Sequence, residues 1–227
     1  MALDPRLDWT VGRDGVPYKD WGAHASGWIR SASYGGPYSP KKNVHEKASE
    51  ASSNVGWVPV QLNSVNIHIF RYADMLLLLA EAEAEAGSPE AARTIVNEIR
   101  ARAAVRVQGP GTDRATIAVP ITTPVAWAMY RVGQYTTPWD QATARTAVRY
   151  ERRLELAMEG QRFFDLRRWG IFDSVLNAYV AVERARRTYL VGAATVTARH
   201  RFYPIPNIQV ELSKVDGTPR LTQNTGW

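Results

Sequence analysis

Cysteine is absent from the 227 residues, so neither a disulfide nor a thiolate nucleophile can operate and the redox compartment is left open. Long apolar runs are missing as well. The longest, Met75 to Ala80, is cut by Glu81 and lies inside a helical pattern, far short of the roughly 20 residues a membrane helix needs. The opening MALDPRLDW has neither a basic n-region nor an apolar h-region, so it is not a secretory signal. The four histidines, His24, His45, His68 and His200, are widely separated, and no pair has the spacing of a zinc site. A calcium-loop motif is lacking. Gly109-Pro110-Gly111 has neither the strand before it nor the Lys-Ser/Thr after it that a phosphate loop requires, and no serine sits in a nucleophile elbow. No cofactor, metal or catalytic residue is therefore expected.

What is present is material for a core, with hydrophobic residues at 45%, and a formal charge of +6. Such a charge invites a nucleic-acid reading. The arginines of the second half, however, sit among acids: Glu151, Arg152, Arg153 and Glu155, then Arg162, Asp165, Arg167 and Arg168. That pattern suits ion pairs between helices better than an unopposed basic stripe, and no nucleic-acid partner is expected.

Residues 1–66 are rich in Gly, Pro, Ser, Asn and aromatics and show no sustained helical or alternating period, which predicts long ordered loops. The aromatics Trp9, Tyr18, Trp21, Trp28, Tyr34, Tyr38 and Trp57 argue against disorder. Residues 67–227 read as helical. Arg71 to Ala86 consists of strong helix formers, Gly87 stops it, and Ser88-Pro89 starts a second helix running to about Ala103. Ala92, Ile95, Val96 and Ile99 make one apolar stripe on that helix, and so short a turn requires antiparallel packing, as in a tetratricopeptide-like hairpin. A loop over 106–124 with a short extended piece near 117–121 follows. Further helices are predicted from Asp140 to Glu159, Phe163 to Trp169, and Phe172 to about Thr188. Tyr203-Pro204-Ile205-Pro206 is extended. The fold class is mainly α, with helices forming one domain together with the long ordered loops.

Several of these stretches carry a resemblance. IFRYADMLLLLAEAEAEAG (Ile69 to Gly87), VNEIRARA (Val96 to Ala103), YERRLELAMEGQRFFDLRRWG (Tyr150 to Gly170), FYPIP (Phe202 to Pro206) and the closing LTQNTGW look like the C-terminal portion of the SusD/RagB family, and DPRLDWTVGRDGVPYKDWG resembles a segment of one branch of it. The one departure is Thr225, where the family often has proline. The resemblance implies a non-enzymatic, lipid-anchored protein of the outer-membrane surface that binds a glycan or peptide nutrient and serves as the lid of a SusC-like TonB-dependent transporter. It further implies that the chain is the C-terminal part of a longer polypeptide, with signal, acylated cysteine and earlier hairpins lying elsewhere.

Oligosaccharides present flat C–H faces rimmed by hydroxyls, and binding them takes aromatic platforms plus planar donors and acceptors. The first segment supplies both, so Trp9, Arg13, Tyr18, Asp20, Trp21, Trp28, Arg30, Tyr34 and Tyr38 are the candidate ligand residues. The alternative for any one ring is that it anchors its loop to the helices. Glu151, Glu155 and Glu159 share a helix face, as a glycosidase pair would need, yet Arg149, Arg153, Arg162, Arg167 and Arg168 are as regular, which predicts an ion-paired junction with ordinary carboxylates. Asp74, Glu81 and Glu85 should line a polar helix edge or pair with arginines.

Overall fold

The computed structural model describes residues 3–47, 52–53, 62–63, 65–105 and 130–227. Trp57, the loop at 106–124 and its extended piece lie outside these. The chain forms two compact units, Met1–Gly160 and Gln161–Trp227.

The first unit is built on three helices: α3 (Tyr72–Ala86), α4 (Pro89–Val105) and α5 (Gln141–Glu155). At the start of α3, Arg71 is still extended, with φ −121° and ψ 151°. At its end the Gly87 N–H donates to Glu83 O at 3.0 Å, and the Glu83 carboxylate takes the Ser88 N–H at 2.9 Å. Orphan groups at the turn are thereby satisfied before Pro89 opens α4 without needing a donor. Asp140 caps α5 by accepting from Thr143 N at 2.7 Å. Leu77, Ala80 and Ala84 of α3, Ala92, Val96 and Ile99 of α4, and Ala144, Ala147 and Val148 of α5 form one buried cluster with Trp139. Five alanines among these ten residues let the helix backbones approach closely. The larger members, such as Leu77 and Val96, each contribute roughly 1.5–3 kcal/mol by leaving water.

Helix α5 stops at Glu155, one turn short of the predicted Glu159. The reason is tertiary. Lys42 Nζ donates to the carbonyls of Glu155 (3.0 Å) and Ala157 (3.2 Å), and Arg71 Nη2 donates to Glu155 O (3.0 Å). With those carbonyls satisfied from outside, the chain turns through Met158 and Gly160, both at positive φ.

Around this core wraps an N-terminal lobe: α1 (Arg6–Thr10), β1 (Val11–Gly12), 3₁₀ turns at Lys19–Trp21 and Ser26–Trp28, α2 (Ala32–Gly35) and β2 (Ser39–Pro40). Strands β1 and β2 pair antiparallel, Val11 opposite Pro40 and Gly12 opposite Ser39. A further antiparallel pair joins β3 (Ser52–Ser53) to β4 (Leu62–Asn63). These short elements punctuate the long ordered loops expected over 1–66. Two to five residues each are too few to display a period. The lobe is tied to the helices by Arg6, whose Nη1 reaches Glu151 at 2.6 Å and Glu155 at 3.1 Å.

The second unit contains α6 (Gln161–Arg168), α7 (Phe172–Glu183) and α8 (Asn207–Leu212), with Leu166 and Phe172 buried. Gly170, at φ 70°, makes the α6–α7 turn. Helix α7 ends at Glu183, before the predicted Thr188. There the Glu183 carbonyl takes the N–H groups of Arg186 and Arg187, and Asn177 exchanges two hydrogen bonds with Val196, drawing the following segment back along the helix. The proline-bearing segment is held by Gln223, which both donates to and accepts from Ile205.

Candidate functional site

The lobe is held by buried polar groups, which decides which of its rings are available. Asp8, fully buried, accepts from Arg13 Nε (2.6 Å) and Nη2 (2.7 Å) and from the Tyr130 hydroxyl. Lys41 is only 1% exposed and donates to Pro17 O at 2.7 Å. Burial pulls the pKa of its ammonium down to about 8. Tyr18 is turned inward: its hydroxyl donates to Pro40 O, and its ring lies 5.7 Å from both His24 and Trp28. Gly12 passes so close to that ring that a Cβ would meet Tyr18 Cδ2 at 2.6 Å. His24 binds Ser39 Oγ at 2.8 Å, and burial lowers its pKa.

The nine candidate ligand residues are therefore placed differently. Arg13 serves Asp8 and Tyr18 serves packing. Asp20 accepts from the Lys47 N–H at 2.6 Å, and Trp21 Nε1 donates to His45 O at 3.1 Å with its ring edge-on to that histidine. Trp28 stands on His24 and Tyr18 and is half exposed, at 50%, while Tyr34 and Tyr38 are 63% and 57% exposed and Arg30 is exposed too. Trp9 is half-buried and lines a cavity of about 450 Å³ together with Lys19, Lys42, His68, Arg71 and Glu159. A second cavity of about 370 Å³ shares Trp9, Lys42 and Arg71 and adds Arg6, Arg102 and Glu155. Trp21 is tied to the carbonyl between Val44 and Glu46, which both line the larger cavity. The basic residues of this groove are not marked as ligand residues by any pattern in the sequence. Lys19 and Lys42 are surface-like by type; Lys42 takes its partners from the end of α5, over a hundred residues away, while Lys19 donates to Val44 O.

The three carboxylates of α5 and its following turn are ion-paired, but not with the arginines of their own stretch. Glu151 meets Arg6 and Arg100 (3.0 Å), Glu155 meets Arg6, Arg71 (3.0 Å) and Arg102 (2.5 Å), and Glu159 meets Arg71 (2.8 Å) and Lys42. Arg149 instead approaches Glu85 at 3.8 Å, and Arg168 pairs with Asp165. Side chains on one helix face point outward to neighbouring elements, so distant arginines win over near ones. Burial raises the Glu155 pKa, but Arg102, Arg71 and Arg6 more than offset it, and the net shift is downward. Glu159 behaves likewise under Arg71 and Lys42. Both correct the expectation of ordinary carboxylates, and neither is held protonated as a general acid must be. Asp74 and Glu85 do pair with arginines, Arg152 and Arg145 respectively.

A helical hairpin braced by a third helix and wrapped by a loop-rich lobe defines a mainly α-helical scaffold. The SusD family profile matches residues 2–227, and the chain belongs to that family. SusD-like protein P38 of Formosa agariphila is 35% identical over 105 residues, 46% of this chain and 17% of that protein. SusD-like protein P25 of the same organism is 28% identical over 153 residues, 67% of this chain and 23% of that protein. A SusD superfamily protein from Bacteroides vulgatus (TM-score 0.62, 23% identity) and a SusD homolog from Bacteroides thetaiotaomicron (0.62, 22%) share the fold over 99% of this chain. The chain spans 40% and 41% of those two solved chains and under a quarter of the curated relatives.

Proposed function

We propose that the N-terminal lobe binds an oligosaccharide or a similar polar nutrient without chemical turnover, as part of a protein that sits on the outer surface of the bacterial outer membrane and hands its ligand to a SusC-like TonB-dependent transporter. The observation that carries this is the rigid display of exposed rings. Trp21, Trp28, Tyr34 and Tyr38 are exposed on a lobe pinned by buried Asp8, Tyr18 and Lys41, and Trp21 is bonded to His45 O between Val44 and Glu46, two residues of the groove that Trp9 enters. Preorganised rings bind sugar faces with little ordering cost. Membership of the SusD family supports the nutrient-uptake reading. The arginine-saturated carboxylates support a non-catalytic role. Among the described residues no helix is long and apolar enough to cross a membrane, and the proposed attachment is a lipid anchor outside this chain.

Affinity electrophoresis against a panel of polysaccharides tests this. Retardation by one of them, lost in Trp28→Ala or Trp21→Ala with unchanged circular dichroism, is the expected result. Retardation that persists in both variants removes the ring assignment, and a chain that no polysaccharide slows removes the reading itself.

A second reading, a helical protein-interaction module, is favoured by the outward face of α3, where Tyr72, Met75 and Leu79 are all at least half exposed. It predicts co-purification of a protein partner that is lost in Met75→Glu.

A further inference from the structure

We propose that His24 is the positioning residue of Trp28, and that it holds this ring in place for a ligand only while its imidazole is neutral. The inference concerns the regulation of the proposed binding site and rests on that reading. Trp28 is half exposed, and it stands against two rings, His24 at 5.3 Å between centroids and Tyr18 at 5.7 Å. Both supports sit deep in the lobe, at 1% and 8% exposure. They differ in one respect. Tyr18 is fixed by its hydroxyl on Pro40 O, whereas His24 has Nε2 on Ser39 Oγ at 2.8 Å and an enclosed Nδ1 that meets no hydrogen-bond partner among the described residues.

A neutral ring tolerates this arrangement. With the proton on Nε2, donating to Ser39 Oγ, Nδ1 keeps a bare lone pair and no N–H is stranded. Protonation puts an N–H on both nitrogens, and the one at Nδ1 is then a buried, charged donor without an acceptor. The charged groups around the ring do not reverse this. Lys41, just after β2, opposes an imidazolium, and Asp14, which favours one, is exposed and already accepts from Ser26 N at 2.6 Å. Burial accordingly holds the His24 pKa below 6.5, so its contribution to stability is complete above 6.5 and is lost as pH falls from there towards the folded value. Gly12 closes one side of the imidazole, where a Cβ would meet His24 Cδ2 at 3.0 Å. An imidazolium reaching for water therefore displaces its exposed neighbour, Trp28, sooner than its buried ones, Gly12 and Tyr18. The ring then loses one of its two supports, and a ligand has to order it again.

An NMR titration of the isotope-labelled full chain from about pH 7.5 to about pH 5 reads both rings without any ligand. Expected are a neutral His24 with its proton on Nε2, a midpoint below 6.5, and a Trp28 indole N–H signal that moves with the same midpoint. Affinity for dextran, pullulan and laminarin, neutral polymers that do not titrate themselves, is measured at the two ends of that range. A polymer that binds should bind about three- to tenfold more weakly at the acid end, the cost of reordering one loosened side chain. His24→Gln, whose amide can replace the Nε2 donor to Ser39, should keep the affinity at neutral pH and abolish its pH dependence. A Trp28 signal that stays still while His24 titrates overturns the proposal, as does a His24→Gln protein with the wild-type pH dependence. Should His24→Gln fail to fold, the titration of the unaltered protein decides alone. Binding that is equally tight at both ends overturns the control by His24 while the glycan reading stands. Coupled His24 and Trp28 signals with no binding of any polymer at either pH uphold the control of Trp28 and count against the glycan reading.

Discussion

Arg152 of α5 meets Asp74 of α3 at 2.9 Å, with their side chains 2% and 7% exposed. A charge pair this deep between two packed helices holds them in register, and removing one partner strands the other away from water. Asp74→Ala should cost about 3–5 kcal/mol in urea unfolding. The double change Asp74→Leu with Arg152→Met should cost much less, since no charge is left buried. Equal losses in the two proteins would mean that packing, not charge, dominates this contact.

Gly12 and Tyr18 set the geometry of the lobe. A Cβ added at Gly12 would stand 2.6 Å from Tyr18 Cδ2, and the ring has nowhere to move, because its hydroxyl is bonded to Pro40 O and it is packed against His24 and Trp28. Gly12→Ala is expected to destabilise the protein by about 1–3 kcal/mol through overpacking. Increased protease cleavage within residues 13–40, with the α3–α5 core still protected from amide exchange, would locate the damage.

Lys41 makes stability depend on alkaline pH. Its pKa falls from 10.5 to about 8 on folding because burial disfavours the charge. Between those two values the unfolded chain binds more protons, so this residue's contribution to stability rises with pH through that window, on the order of 3 kcal/mol in all. Urea midpoints of wild type and Lys41→Met compared from about pH 7 to 10.5 isolate the effect. The difference between them should change with pH in that interval, and a pH-independent difference contradicts the buried-ammonium account.

The acidic limit is set where the lobe meets the end of α5. Burial raises the Glu155 and Glu159 pKa values, and the surrounding arginines and Lys42 pull them below the unfolded value of 4.5. A depressed carboxylate adds stability that is fully present above 4.5 and is lost as pH falls through the folded value. Arg71 serves both groups, so Arg71→Gln should move acid unfolding to higher pH and cost about 3 kcal/mol near neutrality. Far-UV circular dichroism between about pH 2 and 6 measures the midpoint, and an unshifted midpoint would assign the acid transition to other groups.

The helical hairpin was legible in the sequence, because its causes are local. Gly87 and Ser88-Pro89 bracket the hairpin turn, and the spacing of Ala92, Val96 and Ile99 marks the buried stripe of α4. Propensity, capping and a 3.6-residue period act over one or two turns and leave their trace in the chain itself. The short ordered motifs also pointed to the family that the profile match over residues 2–227 shows.

Tertiary structure alone decided where α5 ends, which arginines its glutamates meet, and which aromatics of the lobe face outward. Lys42 and Arg71 close α5 from a distance, Tyr18 turns in while Trp28 stays half exposed, and an ion-paired groove forms where α1, the Lys41-Lys42 segment and the end of α5 converge. Each of these outcomes depends on which side chain reaches a polar group first in three dimensions, and contacts between residues so far apart in the chain leave no periodic signal for a reader of the sequence to find.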